Sequence, residues 1–391
     1  MAIPLIFYYH RLNCYSFNAL AGALDADPAL SDLPVDIALD AEKLHMFAAA
    51  NVIRHGRTVA ALSILTCQFK EMHGIMQRLR SDFGPNVTIL AGGPHATACP
   101  EQVLEAGADV VFRGEAERTF PDAIRKIAAD QPLKGVQPSP EQVVLDKYCS
   151  FSPKRGMFGP IEITRGCAFA CNYCQTSRIF GVALRHRSIA SIVRQAETLR
   201  SVNRTVVRLL SPNAFSYGSA DGRQINLQAM RELLAALRSS LTAKAKIIFA
   251  HFPSEVRPEH VLPETLDLLK EFADNDEIVI GAQSGSERML DTCHRSHDVA
   301  SALRAVALAR KYGYKVIVDF IFGLPGETAS DLRQTLAVIE DLVHMGARIH
   351  PHIFAPLPQT PFAKEKAGSI SPEVAEALQR FKNRRGVYGM I

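Results

Sequence analysis

The stretch "IEITRGCAFACNYC", residues 161–174, runs from a short β-branched strand straight into a loop that carries Cys167, Cys171 and Cys174. In parallel α/β folds, loops at the carboxyl ends of strands carry the chemistry, so a strand emptying into such a loop, with a helix beyond it, reads as the first unit of a βα barrel. Three thiolates are one short of a closed tetrahedral zinc site, and one short of the four that a wholly protein-held iron–sulfur cluster needs. Spaced by three residues and then two, the loop can wrap three corners of a [4Fe–4S] cube and leave one iron for an outside ligand. The competing reading is a zinc knot completed by a distant residue such as Cys149 or Cys293.

The segments that follow keep the alternation going. After the loop comes a helical pattern at Ile189, Ile192, Val193, Ala196 and Leu199, then "TVVRLL", a helix over 227–241, "KIIFAHF", a helix over 263–272, "EIVIGAQ", a helix over 298–312, "KVIVDFIFGL", a helix with Leu332, Leu336, Ile339 and Val343, and finally "RIHPHIFAP". Six strands of this kind predict a partial barrel over residues 160–365. Thr328 followed by Asp331 is a capping-box signature for the helix after "GLPGE". His350 and His352 alternate with apolar neighbours and read as structural histidines.

Upstream, "LIFYYH", "VDIALD", "VAALSIL", "NVTILAGG" and "ADVVF" alternate with helical patterns and predict an open parallel sheet over residues 1–130. Such sheets bind ligands at the carboxyl ends of their strands. Residues 131–159, rich in proline and glycine, read as a linker, and 366–391 as a short polar tail with one helical pattern. The fold class is therefore α/β: a Rossmann-like sheet domain followed by a partial (β/α)6 barrel.

Bulk properties exclude several functions. The 391 residues carry 44 Lys+Arg against 40 Asp+Glu, a net charge of +4, too small to argue for nucleic acid. The longest apolar runs are broken by charge and fall short of the roughly 20 residues a membrane span needs. The amino terminus lacks a secretory signal, and eight dispersed cysteines do not make a secreted disulfide framework, so the expected location is the cytoplasm.

The cysteine spacing, with the aromatic Tyr173 before the last thiol, resembles the signature of the radical S-adenosylmethionine (SAM) superfamily. That resemblance implies a [4Fe–4S] cluster on Cys167, Cys171 and Cys174 whose open iron takes the amino and carboxylate groups of SAM. One electron through the cluster then yields a 5′-deoxyadenosyl radical, supplied by a donor such as ferredoxin or flavodoxin. By the same resemblance Ser211 and Asn213 lie near the methionyl amino group, Gln283 and Ser284 near the ribose or carboxylate, Arg295 near the carboxylate, and Gly323, Leu324 and Pro325 beside the adenine. Relatives usually carry Glu where this chain has Gln283.

In the amino-terminal domain, Ser63-Ile-Leu65 and Gly92-Gly93 resemble elements of the cobalamin-binding fingerprint, and "FRGEAERTF" (112–120), with Gly114 and Glu115, resembles the end of that domain in cobalamin-dependent radical SAM enzymes. A small hydroxyl residue and paired glycines suit close approach of a cofactor tail. The histidine-donating Asp-x-His-x-x-Gly element is replaced by "HRLNCYSFN" (10–18). Two alternatives stay open: a second cluster on Cys14, Cys67 and Cys99, as methylthiotransferases build, and a domain with no cofactor. No RNA-binding barrel is expected after residue 365. The resemblance implies a cobalamin-dependent enzyme that methylates an unactivated carbon of a small-molecule substrate; rearrangement or cyclisation without methylation is the alternative, and a non-catalytic metal-binding or sensor protein the reading from another class.

Overall fold

The computed structural model describes residues 3–383 and 386–389, and the chain divides into two units, Met1–Pro160 and Ile161–Ile391. In the first, strands β1 (Leu5–Tyr8), β2 (Val35–Ala38), β3 (Thr58–Ser63), β4 (Val87–Gly92), β5 (Val110–Arg113) and β6 (Gly135–Pro138) form one sheet in the order 2-1-3-4-5-6, every pair parallel. Both faces are covered at its centre, which is why β1 (LIFY) is apolar and buried throughout. Leu5 and Phe7 pack with Phe17 and Phe120 on one side, while Ile6 and Tyr8 meet Leu44, Met72 and Met76 on the other. The strand order reverses between β1 and β3. Asn13 bridges that point, its Nδ2 donating to the carbonyls of Tyr8 (3.2 Å) and Ser63 (3.1 Å).

Residues 131–159, expected as a linker, supply β6 to the edge of this sheet and a short antiparallel bridge between Ser152 and Met157. Composition misses this because a four-residue edge strand leaves too little periodicity to detect.

The second unit contains β7 (Ile161–Glu162), β8 (Thr164–Arg165), β9 (Arg185–His186), β10 (Val206–Leu210), β11 (Lys246–Ile248), β12 (Glu277–Gln283), β13 (Lys315–Phe322) and β14 (Arg348–Ile353). Parallel pairing runs β7-β10-β11 and β12-β13-β14. The two halves are stitched by a parallel bridge from Val256 to Ile280 and by the Val279 N–H on the Ala250 carbonyl at 3.1 Å. The six main strands thus form an open barrel, while β8 and β9 are an antiparallel pair at its rim.

The segment expected as a polar tail is partly core. Helix Pro372–Asn383 buries Val374, Ala377, Leu378 and Phe381, and the chain returns so that Val387 bridges Ile349 on the free edge of β14. Tyr388 then stacks on Phe252 (centroids 5.8 Å apart) and meets the edge of His350. Its remaining residues lie outside the described ones. No helix among the described residues is long and apolar enough to cross a membrane.

One cap ties helix Ala329–His344 to the preceding strand loop. Asp331, 2% exposed, completes the capping box with Thr328 and also accepts from Ser286 Oγ (2.6 Å) and from Arg288. The Arg288 guanidinium foremost, aided by the Ser286 and Thr328 hydroxyls against the opposing effect of burial, holds its carboxyl far below the usual carboxylate range. We expect Asp331→Asn to cost about 2 kcal/mol at neutral pH in urea unfolding. Because the folded state lowers this pKa, the stabilisation is complete above the unfolded value of about 4 and fades below it, so the gap between wild type and variant should narrow as pH falls under about 4.

Candidate active site at the barrel mouth

The cysteine loop leaves the barrel between β8 and β9, whose two-residue ladder (Thr164 opposite His186, Arg165 opposite Arg185) clamps its ends together. Gly166 turns the chain with φ +96°; a Cβ there would lie 2.4 Å from the Ala183 carbonyl oxygen, so only glycine lets the two ends close. The Cys167 N–H then donates to Gly181 O at 3.1 Å. Asn172 anchors the middle of the loop, its N–H on Cys293 O (3.0 Å) and its Nδ2 on Thr292 O (2.7 Å). Gln175 reaches across to Pro358 O at 2.8 Å. The loop is thus fixed by segments that follow β12 and β14.

A cavity of about 440 Å³ opens at the carboxyl ends of the strands, within the range of about 300–1,000 Å³ usual for small-ligand sites. Cys167, Cys171 and Cys174 line it, together with Tyr173, Ser211, Asn213, Gln283 and Arg295. Burial pushes the thiols of Cys167 and Cys174 up, so a bound metal would be needed to hold them as thiolates. Among the described residues the three sulfurs do not form a set within 4.8 Å of one another, the compactness that ligands of a single ion need.

Arg295 is 7% exposed, with Nη1 3.6 Å from Cys171 Sγ and Nη2 on the Gly281 carbonyl. Burial works against its charge, but a guanidinium does not give up its proton inside a protein, so Arg295 is a buried cation at the cavity wall. Gln283 sits at φ +72°, where β12 slips register against β13 between Gly281 and Gln283. A non-glycine residue in this conformation is strained, and such strain gathers at functional sites. A Cβ at Gly281 would meet Gln283 Nε2 at 2.7 Å and both Arg295 Nη2 and Glu255 Oε2 at 3.4 Å, so these three side chains converge over a bare stretch of backbone.

Other expected residues fall elsewhere. Ser284 is buried with its hydroxyl 3.3 Å from Thr335 Oγ1 and accepting from the Ser286 N–H, outside the cavity lining. Gly323 and Pro325 line a separate cavity of about 580 Å³ against residues 364–371, and Leu324 packs with Met289, Cys293 and Phe354 behind Tyr173. Ser211 and Asn213 line the main cavity, but they also build its wall: Ser211 Oγ donates to Asn213 O at 2.8 Å, and Asn213 Nδ2 lies 2.8 Å from His260 Nδ1.

Sequence reasoning missed Glu255, Arg257, Asp319 and His352, all of which line the cavity. Burial first, then the negative charge of Asp319, raises the Glu255 carboxyl to about 8. For Asp319 burial acts upward, but His350 and His352 outweigh it and leave the carboxyl below its ordinary value. Arg257 lies with its guanidinium 3.5 Å above the Phe169 ring, and its side chain donates to the Arg295 carbonyl. The signal that would have found Asp319 is a lone acid in an otherwise apolar strand, which must have a partner when buried. Glu255 and Arg257 sit in irregular chain and carry no such mark.

In the first unit Ser63 ends β3 and Gly92 ends β4. Gly93, at φ +93°, would place a Cβ 2.7 Å from Ile64 N and 2.9 Å from Ser63 Oγ, so it lets the two strand ends close on each other. Gly92 differs: an added Cβ meets only Phe112 Cβ, at 3.8 Å, and faces open space. Leu65 is half-buried beside them. Gly114 (φ +90°) donates its N–H to Thr97 Oγ1 at 3.1 Å, while Glu115 is buried and accepts from the Val143 N–H at 3.2 Å, so its carboxylate is committed to the fold. Cys67 is exposed, Cys14 and Cys99 half-buried.

Comparison with known proteins agrees with this geometry. The model of the radical SAM superfamily matches residues 161–339, and that of the B12 binding domain matches residues 17–124. Among curated relatives, an uncharacterized methyltransferase of Pyrococcus horikoshii is 22% identical over 294 residues, covering 68% of this chain and 60% of its own length. A tRNA-2-methylthio-N(6)-dimethylallyladenosine synthase of Halorhodospira halophila is 25% identical over 325 residues, covering 80% and 65%. The chain therefore spans less than two thirds of these relatives. Among solved structures, the radical SAM methyltransferase TsrM of Kitasatospora setae superposes with a TM-score of 0.66 at 15% identity, over 93% of this chain and 77% of that one. The cobalamin-dependent enzyme OxsB gives 0.67 at 16%, over 99% and 58%. At such identities these likenesses show a shared fold.

If Gly166 sets the cysteine loop, Gly166→Ala should fold yet lose most of its iron on anaerobic reconstitution, because the strain of a few kcal/mol falls on the loop itself. Gly156→Ala, also at positive φ but with nothing within 4 Å of the added Cβ, should retain it. Iron and sulfide assays on both variants make the comparison.

Proposed function

Because this chain belongs to the cobalamin-dependent radical SAM enzymes, with a B12 binding domain ahead of its radical SAM domain, we propose that it methylates an unactivated carbon of a small-molecule substrate. The observation that carries this reading is the single cavity in which three cysteines face Gln283, Arg295 and Asn213 at the carboxyl end of the barrel. When bound, the [4Fe–4S] cluster supplies an electron for SAM cleavage and the corrinoid supplies a methyl group.

The residues fit these groups. Cys167, Cys171 and Cys174 would hold the cluster and leave one iron open, and Arg295, protonated beside them, would pair with the SAM carboxylate. Gln283 presents a neutral amide where a hydroxyl or carboxylate is to be bound, and Tyr173 with Phe354 and Ile321 gives the apolar wall that keeps water from the reacting carbon. Glu255, carrying its proton up to about pH 8, would donate to a ligand where an ionised carboxylate only accepts. Ser63, Leu65, Gly92, Gly93 and Gly114 would cradle the corrinoid tail, with Gly92 offering the open space. We place Gly323, Leu324 and Pro325 as the strand end that shapes the adenine side, acting through Leu324 behind Tyr173. The electron donor would be a ferredoxin or flavodoxin. A cytoplasmic location, where thiols stay reduced, would suit the three cluster cysteines.

A second reading has one observation in its favour, the relatives named as a tRNA-2-methylthio-N(6)-dimethylallyladenosine synthase and a threonylcarbamoyladenosine tRNA methylthiotransferase; it places a second cluster on Cys14, Cys67 and Cys99. Anaerobic reconstitution separates the two. We expect about four irons and four sulfides per chain with about one corrinoid, whereas two clusters would give about eight irons and no corrinoid. A single zinc held by four protein donors in the cysteine loop would overturn both. Methyl-labelled SAM with candidate substrates should pass its label to carbon; labelled cofactor turned over with an unlabelled, rearranged product would favour radical rearrangement.

Gly92 gives an independent check. It is extended (φ −148°), so a side chain is conformationally acceptable there. Gly92→Leu should leave the far-UV spectrum and iron content unchanged while reducing retained corrinoid at least about tenfold, the cost of filling the tail's space with four carbons.

A further inference from the structure

We propose that Asp319, His350 and His352 form a divalent-cation site on the cavity wall, separate from the cysteine loop. The placement follows from strand register. Asp319 on β13 is the direct partner of His350 on β14, and His352 follows two residues along. Since side chains alternate along a strand, the two histidines share a face, and the acid across the ladder shares it with them. Two imidazoles at i and i+2 with a carboxylate on the next strand leave three donor atoms clustered on one rigid surface.

The distances suit a metal. His350 Nδ1 is 2.8 Å and His352 Nε2 3.6 Å from Asp319 Oδ1, and the three atoms lie within 4.8 Å of one another. Bonds of about 2.0–2.1 Å to a tetrahedral ion put its ligands about 3.3 Å apart, a spacing that the two Asp319–histidine separations of 2.8 and 3.6 Å bracket. It is the single such grouping of histidine, cysteine and acidic atoms among the described residues.

A second observation points the same way. Asp319 is 1% exposed and its Oδ2 lacks a hydrogen bond of good geometry, with the Glu255 carboxyl alongside it. Buried carboxylate oxygens left without a donor are costly, and an ion is one way to satisfy them. Asp319 and His352 both line the cavity, so an ion held there would keep one position open to its contents. Packing holds the ligands in place from behind: the rings of His350 and His352 are 4.2 Å apart, and Phe252 and Tyr388 each meet His350 edge-on.

Two imidazoles and one carboxylate select a borderline ion such as Zn²⁺, Fe²⁺, Mn²⁺ or Co²⁺ over Mg²⁺ or Ca²⁺. The open position takes an oxygen donor, which identifies the substrate class as one bearing a carboxylate or hydroxyl near the reacting carbon. That last step rests on the proposed function; the cation site itself does not.

The test uses the full chain with its cluster already reconstituted, so that the cysteines are occupied. After incubation with excess Zn²⁺ and gel filtration, metals are counted by mass spectrometry. Wild type should keep about one zinc beside its irons, and His350→Ala, His352→Ala and Asp319→Asn should each weaken zinc binding at least about tenfold, the usual minimum for a lost ligand. Iron, sulfide and the visible absorption of the cluster should be unchanged in all three. Equal zinc in wild type and variants, zinc lost only in Cys167→Ala, or none in wild type would overturn the site and leave the histidines as partners of Asp319 alone. Failure of the proposed function would instead appear in the iron count or in SAM cleavage, with zinc retention unaffected.

Discussion

Parallel strands all end on the same side, and this constraint brings together side chains almost two hundred positions apart. Cys167 follows the first strand pair of the barrel and His352 lies near the end of the last, yet both line one cavity. Between them each strand end contributes a side chain, from Asn213 after β10 to Glu255, Gln283 and Asp319. A sheet with antiparallel connections would scatter these residues over two rims. The right-handed βα crossover therefore does more for the chemistry than any single contact, because it collects polar groups where the core no longer buries them.

Charge is distributed unevenly around that cavity. Arg257 and Arg295 lie on the cysteine side, both buried and joined through the Arg295 carbonyl. Glu255 converges with Arg295 over Gly281, and Asp319 lies next to Glu255 with His350 and His352 beyond. Buried cations are costly without compensation. Arg257 already pairs with Glu259; for Arg295, thiolates on a cluster and a carboxylate on its ligand would provide that compensation, so it is better matched to an occupied site than to a cavity filled with water. Beside Arg295, burial and then the neighbouring Asp319 raise Glu255 to about 8, and the two acids favour a proton or a cation between them.

The architecture and the metal-binding loop were legible in the sequence because each depends on local pattern. Strand and helix periods persist through nearly every βα unit, and the cysteine spacing needs no tertiary knowledge. The six barrel strands and the capping box at Thr328 and Asp331 were recovered in this way. The cavity walls were harder to read. Glu255 follows a strand of only three residues and a run of irregular chain, where no periodicity assigns it a face. Ser284 sits next to Gln283 in sequence but points into the helix Ala329–His344 through Thr335, a one-residue difference that alternation along a bulged strand cannot resolve. Residues 131–159 and 366–391 looked like connecting chain because their contributions are short: one edge strand, and one bridge that covers the free edge of β14.

The paired glycines of the first unit show how one motif can answer two physical demands. At Gly93 the nearest atoms belong to the chain itself, and the residue is glycine so that β3 and β4 can end against each other. At Gly92 the backbone is extended and the space beside it nearly empty, so the fold alone would tolerate a side chain there. The corrinoid tail proposed above would use the room that the missing side chain leaves. Asn13, tying the ends of β1 and β3 together at the point where strand order reverses, fixes the neighbouring crevice in place. Rigid strand ends around a deliberately vacant position are what a large, flat cofactor with a narrow tail requires, and the B12 binding domain match falls on these residues.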